Sequence, residues 1–302
     1  MFTGSHASSP TTETGSTEIN APSRGLLTQG TIFSGARAEN YSGCSVHALV
    51  ITARCDIAND KVHSYNYLPV VTLSDWIHRD GRIILAERLQ AESLTSLRNV
   101  LRDCGHSPSV LDTESLERVQ QVLFDDQKSD RKLAKFRQRF VENARKYELA
   151  TRAVTSSPDE RLCNLVVSQS PHLREALIKE LTSYRLGGFH FLKRIEPRGT
   201  DLGFVVLLRE IQVLPRTVGL AMASGFGHFE FEEICKADNS IRGRMDVPKD
   251  CFAMPVGVLT SPYIEHLMQA FATLFGRIGI TDHEPSYIRS LWERQPSVKG
   301  VI

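Results

Sequence analysis

Between residues 26 and 73 the apolar positions fall into short runs divided by polar and glycine-containing breaks: LLTQGTIFSG, then CSVHALVITA, then YNYLPVVTL. In the middle run Val46, Ala48 and Val50 alternate with His47, Leu49 and Ile51, so both faces are mostly apolar, which predicts a central strand covered on each side. The third run is rich in Tyr, Leu and Val, and Pro69 within it predicts an edge strand or a bulge, because proline cannot donate to a ladder. Strands in this order predict a small antiparallel barrel over residues 25–80. Between the second and third runs, Arg54, Cys55, Asp56, Asn59, Asp60 and Lys61 form a polar loop at a strand end, a common place for functional groups.

From Ser74 the period changes to that of a helix. Ser74, Asp75 and Trp76 read as a helix start, and residues 83–102 carry Ile84, Leu85, Leu89, Leu94, Leu97, Val100 and Leu101 before Gly105 ends the run. Residues 113–124 and 131–154 predict two further helices, so 81–155 reads as an antiparallel hairpin or bundle. Residues 156–302 alternate in type. A helix over 171–184 runs into Gly187 and Gly188, two strands over 189–195 and 202–213 flank a turn at 197–201, and a strand over 251–259 leads into a helix capped by Ser261 with Pro262 at its first position. In that last helix Ile264, Leu267, Met268, Phe271, Leu274, Phe275 and Ile278 make a broad apolar stripe, to be buried on its own sheet or in a homo-oligomer. The fold class is therefore α+β: an N-terminal barrel, a helical middle segment and a C-terminal α+β region. Residues 1–24, rich in Ser, Thr, Gly and Pro, predict a disordered leader.

Composition narrows the function classes. Thirty-six basic residues against 35 acidic ones leave no global charge toward nucleic acid or membrane, so any such affinity is local. No apolar run reaches the roughly 20 residues of a membrane span. Six cysteines are scattered without a CxxC pair, which predicts buried small hydrophobes in a reducing, cytoplasmic compartment. No cofactor or metal is indicated: Ala270, not histidine, follows His266 by four residues, and Gly225-Phe226-Gly227 lacks the rest of a phosphate loop and reads as a turn.

The charge asymmetry is concentrated in the third helix. Lys128, Arg131, Lys132, Lys135, Arg137, Arg139, Arg145 and Lys146 are interrupted only by Asp130 and Glu142, with Phe136, Phe140 and Tyr147 interleaved. Arg131, Lys132, Lys135, Arg139, Arg145 and Lys146 predict a basic face for nucleic acid, RNA or DNA, or for an acidic protein; the alternative is a solvated face balanced by acids elsewhere.

The words QGTI at 29–32, ALVIT at 48–52 and LPVVTL at 68–73 resemble the SH3-like barrel of the PemK/MazF toxin-type endoribonucleases. The resemblance spans residues 26–73. It implies an SH3-like arrangement of the N-terminal barrel, metal-independent RNA cleavage and a bacterial stress or antiphage-defence setting. Thr72 matches the family's hydroxyl residue at the end of the third strand. The family's arginine before the second strand is missing, because Val46 and His47 stand there, and Arg54 lies at that strand's other end. Two functions from different classes follow. One is a non-enzymatic interaction or regulatory protein that binds a protein or nucleic-acid partner. The other is an endoribonuclease with His47 as general base, Arg54 or Lys61 stabilising the developing charge, and Thr72. A structural alternative for the same residues is a hydrogen-bonded His47 and an Arg54–Asp56 ion pair.

Overall fold

A computed structural model of the protein describes residues 18–124, 131–155, 160–200 and 202–276, together with Ser286. Lys128 and Asp130 of the charged run, Ile278 of the last apolar stripe and most of the expected leader lie outside the described residues.

The chain is mixed α+β, built on one curled antiparallel half-barrel sheet. In chain order its strands and first helices are β1 (Ile19–Asn20), β2 (Thr31–Ala36), β3 (Val46–Val50), α1 (Arg54–Ala58), β4 (Ser64–Thr72) and α2 (Leu73–Trp76). A π-helical turn, Ile77–Gly81, leads into α3 (Arg82–Asp103), α4 (Leu116–Phe124), α5 (Arg131–Thr155), α6 (Glu160–Gln169) and α7 (Pro171–Thr182). The remainder comprises β5 (Phe189–Leu192), β6 (Phe204–Leu207), β7 (Gln212–Pro215), α8 (Arg216–Ser224), β8 (Phe226–Gly227), α9 (His228–Ala237), β9 (Phe252–Ala253), β10 (Pro255–Leu259) and α10 (Tyr263–Phe275).

The sheet order is β1-β10-β2-β3-β4-β6-β5, with β7 on β4, and β8 and β9 pair separately. The strands of 25–80 thus share a sheet with strands from beyond residue 188: β10 is inserted between β1 and β2, and β6 and β7 lie along β4. Ile19, inside the segment expected as a leader, is 4% exposed and pairs with Leu259, because the edge of β10 offers the short stretch a ladder and an apolar cover. The polar loop after β3 winds into the short helix α1.

β3 is the covered central strand its alternation predicts. Val46, Ala48 and Val50 join one core while Leu49 and Ile51 join the other. Pro69 sits in a central strand, not at an edge. The partner edge of β4 is divided, with Ser64–Tyr67 on β7 and Val70–Thr72 on β6, and Pro69 falls at the break between them. A residue without an N–H is tolerated where the ladder is interrupted.

The two faces of the sheet organise the rest. One face packs beneath helices through Phe33, Tyr67, Val71 and Val205, which meet Leu85 and Leu89 of α3, Ala150 and Ala153 of α5, Leu177 and Leu181 of α7, and Met222 of α8. The other is lined by Ile32, Leu49, Leu68, Val70, Val206 and Leu259 and covered by α10 through Ile264 and Leu267. Complete burial of two such side chains contributes about 2 kcal/mol each. The apolar stripe of α10 therefore lies on its own sheet, leaving Phe275 53% exposed. α10 begins at Tyr263 with Pro262 at the cap, and Ser261 makes no capping bond. A third core, Leu97, Val100, Leu101, Val119, Phe124 and Phe140, joins the far half of α3 to α4 and the first half of α5.

Of the cysteines, Cys235 is buried, Cys44 and Cys104 are half-buried, and Cys55 and Cys251 are exposed, so burial is the rule for only part of the set. Cys55 lies on a helix with no buried residue, and Cys251 directly precedes the short strand β9.

Curling brings β10 against the chain that follows β5. A Cβ built on Gly257 would lie 2.1 Å from the carbonyl oxygen of Ile195 and 2.8 Å from Cγ2 of Ile19. Backbone on one side leaves little room for relief. Gly257→Ala is therefore expected to destabilise the fold by at least about 2 kcal/mol, whereas Gly243→Ala, with nothing within 4 Å of the added atom, is expected to stay within about 0.5 kcal/mol. Equilibrium denaturation of both variants checks this, and equal losses would remove the close approach as a constraint.

Candidate functional site

His47 and Thr72 lie on the same face of the sheet near one end. His47 pairs with Val70 across β3 and β4, and Thr72 follows two residues along β4. Arg54 is at the opposite end: from His47 the strand runs about 10 Å to Val50 before the chain turns into α1. His47 and Thr72 are thus near neighbours in the sheet, and Arg54 is not brought to them.

His47 has an imidazole Nδ1 that is buried without a hydrogen-bond partner, and its ring stands edge-on to Phe204 with centroids 6.1 Å apart. Burial lowers its pKa to about 4, so it is neutral near pH 7. The Thr72 hydroxyl caps α2, accepting from the Asp75 backbone N–H at 3.1 Å while donating to Asp75 Oδ2 at 2.7 Å. Both of its hydrogen-bonding roles are occupied within one turn. Around this helix start, Arg79 donates to the carbonyl oxygens of Asn40 and Ser42 and lies over the Tyr41 ring, and Tyr41 donates to Asp80 Oδ2 at 2.6 Å. Burial, reinforced by the Asp80 carboxylate, pushes the Tyr41 hydroxyl far above its usual pKa. Burial, with Asp75 adding to it, raises that of the Cys44 thiol. Each of these settings favours the protonated group.

At the other end of β3, Arg54 and Lys61 are exposed, and Arg54 forms no ion pair with Asp56 among the described residues. Cys55 Sγ instead donates to Asp56 Oδ1 at 3.7 Å, and Asp60 is paired with Arg216 of α8. Among the described residues no three His, Cys, Asp or Glu side chains are placed to hold a metal ion.

The six residues of the basic face are gathered. At 100° per residue, Arg145, Arg131, Lys135, Lys146, Arg139 and Lys132 occupy an arc of about 140° along about 22 Å of α5. On its other side Phe140 and Ala144 enter the third core, which orients the arc outward. Arg131, Lys132, Lys135, Arg139 and Arg145 are exposed and Lys146 is half-buried. Arg139 pairs with Asp103 of α3 at 3.1 Å, Lys146 with Glu142 at 2.9 Å, and Lys132 lies over the Phe136 ring. Arg131, Lys135 and Arg145 form no ion pair among the described residues. Exposed pairs of this kind contribute about 0.2–1 kcal/mol, little enough for a phosphate to displace the carboxylate. A cleft beside the arc, between Gln120 of α4 and Gln169 of α6, is lined by Arg137, Gln138, Arg145 and Lys146.

One cluster has no local signature in the sequence. Tyr184, His190 and His266 form a knot of rings: Tyr184 stacks on His190 at 4.5 Å and 25°, His266 meets Tyr184 edge-on at 4.7 Å, and the two imidazoles are 5.4 Å apart. His190 is 3% exposed, its Nδ1 has no partner, and burial, followed by the nearby His266, lowers its pKa to about 4. The three residues come from a post-helical turn, a strand and a distant helix, so no spacing announces them. The signal that could have marked the cluster is a histidine within the apolar strand FHFL.

Among the described residues no helix is long and apolar enough to cross a membrane. Compared with known protein families, with curated proteins and with solved structures, the chain matches none.

His47 and His190 both titrate near 4 when folded against 6.5 as ordinary histidines. Between these values the unfolded chain binds protons that the folded chain resists, so the contribution of the two histidines to stability falls as pH drops from about 6.5 to 4 and is constant below. Each histidine accounts for up to about 3 kcal/mol, at about 1.4 kcal/mol per pH unit. Urea unfolding across this range is expected to show the slope, and His47→Leu and His190→Leu are each expected to flatten it by one proton. Slopes identical to that of the parent protein in both variants would contradict the assignment.

Proposed function

We propose that this is a cytoplasmic, non-enzymatic interaction protein that holds a nucleic-acid partner along the exposed basic face of α5. The observation that carries the reading is the gathering of Arg131, Lys132, Lys135, Arg139, Arg145 and Lys146 on one outward arc, fixed in direction by the buried Phe140 and Ala144. Such a row of cations replaces counterions along a phosphate backbone, giving a salt-dependent affinity without requiring base readout. The groups an endoribonuclease of the resembled type would use are less favourably arranged for that chemistry: Arg54 is remote from His47 and Thr72, and the Thr72 hydroxyl is engaged by Asp75. The bacterial stress or antiphage-defence setting rests on the resemblance of 26–73 alone.

Equilibrium binding of RNA and of duplex DNA as a function of salt tests the reading. Replacement of Arg131, Lys135 and Arg145 together by glutamate, at positions free of intramolecular ion pairs among the described residues, is expected to weaken binding at least about tenfold and to shallow the log–log salt slope by about 0.9 for each phosphate that is no longer neutralised. Binding with unchanged affinity and slope, in a variant that melts like the parent, would remove α5 as the interface. Accumulation of cleaved RNA ends during the assay would favour the enzyme instead.

A further inference from the structure

Two local costs coincide at the mouth of a cleft that the α5 reading does not use. Tyr184 follows Ser183, the cap of α7, with φ +58°, the left-handed conformation that glycine commonly supplies at this point. A bulky side chain there costs about 1–2 kcal/mol. The residue persists in it while its ring stacks on His190 and meets His266 edge-on. Directly beneath, His190 is almost wholly buried with an unpartnered Nδ1, a second penalty of about 1–3 kcal/mol. Strain and an unsatisfied buried polar group in contact with one another are the marks of a site held for a ligand.

The cleft runs between the turn after α7 and the outer side of α10. Its apolar surface comes from Phe189, Leu208 and Leu274, and Tyr184 and His266 present their rings to it. Tyr184 is covered on one side by His190 yet remains 40% exposed. Beyond the rings the chemistry changes. Arg185 lines the cleft and uses only its Nε, which donates to Ser183 Oγ, while Arg209 packs against Gly188, where a built Cβ would meet its Nε at 2.7 Å. Neither guanidinium forms an ion pair among the described residues. The backbone N–H groups of Gly187 and Gly188 likewise have no acceptor among them. Two guanidinium groups and two adjacent N–H donors favour an anion. Glu18 is an acid whose charge reaches Tyr184.

From this juxtaposition we infer that the cleft binds a nucleotide, its base against Tyr184 and His266 and its phosphate at Gly187 and Gly188 between Arg185 and Arg209. The nucleotide is either a free nucleoside phosphate or the phosphorylated end of a strand. A base gains by stacking whatever its identity, since every base has a π-face. A neutral His190 supports Tyr184 from below without adding charge beneath the stack.

Calorimetric titration of the full chain with the four nucleoside monophosphates, the matching nucleosides, inorganic phosphate, and a short oligonucleotide with and without a 5′-phosphate tests the inference. Nucleoside monophosphates are expected to bind more tightly than either the nucleoside or phosphate alone. Tyr184→Gly keeps the backbone conformation at lower cost and is expected to weaken nucleotide binding at least about tenfold. His266→Ala, at an exposed position, supplies a second variant for the ring side. Arg185→Gln with Arg209→Gln is expected to weaken the monophosphates and leave nucleosides unchanged. Tighter binding of the 5′-phosphorylated oligonucleotide than of any mononucleotide identifies a strand end as the ligand, and the reverse order identifies the free nucleotide. No binding of any nucleotide at about 10 mM, far weaker than ordinary ligand affinities, would overturn the inference. So would phosphate binding as tightly as the monophosphates, or affinities untouched by Tyr184→Gly and His266→Ala.

Discussion

Where β10 meets the chain that follows β5, the carbonyl oxygen of Ile195 stands so close to Gly257 that no side chain fits between them. The same approach brings in Ile19 of β1, so three segments widely separated in sequence converge on one residue without a Cβ. A larger spacing there would flatten the sheet and open the cavity that Leu68, Val70 and Leu259 fill with Ile264 and Leu267 of α10. α10 carries His266 on its outer side, so the curvature also sets the distance between His266 and His190 of β5. Core packing and the aromatic knot at the surface are two results of the same bend.

The helical half is anchored differently. α3 and α5 contribute to two cores, one beneath the sheet through Leu85, Leu89, Ala150 and Ala153, the other with α4 through Leu97, Leu101, Phe140 and Ala144. Because each helix is gripped at both ends, the direction of its outer surface is set by the sheet as well as by α4. The cations of α5 face solvent opposite Phe140 and Ala144, and the pairing of Arg139 with Asp103 adds a polar tie between the two helices.

Local periodicity made much of this legible. The two-sided apolar alternation around Ala48 marked β3, and the spacing of Leu and Ile in α3 and α10 marked those helices, because each pattern is written within a dozen residues. The arc of α5 was equally readable, since helical geometry alone places its six cations together. What escaped was whatever depends on the meeting of distant segments. The pairing of Ile19 with Leu259 involves a strand of two residues, too short to carry a period. Pro69 pointed to an edge because the break between β6 and β7 on the neighbouring edge cannot be seen from β4. The Tyr184, His190 and His266 cluster needs a turn, a strand and a helix in their folded places, whereas the separation of Arg54 from His47 is readable from the strand that lies between them.

The interleaving of β10 between β1 and β2 has a consequence for the order of events in synthesis. The edges of β1 and β2 that will accept β10 exist from the first tens of residues, whereas their partner is added more than two hundred residues later. Until then β2 carries unpaired backbone donors and acceptors of the kind that recruit foreign strands. Pairing of such long range is also slow to form, because much of the chain must be ordered before the strands can meet. A fragment ending before β10 would keep the residues of every helix but α10 and of most strands, yet present that open edge and a sheet face without its α10 cover, so the half-finished protein is the form most exposed to aggregation.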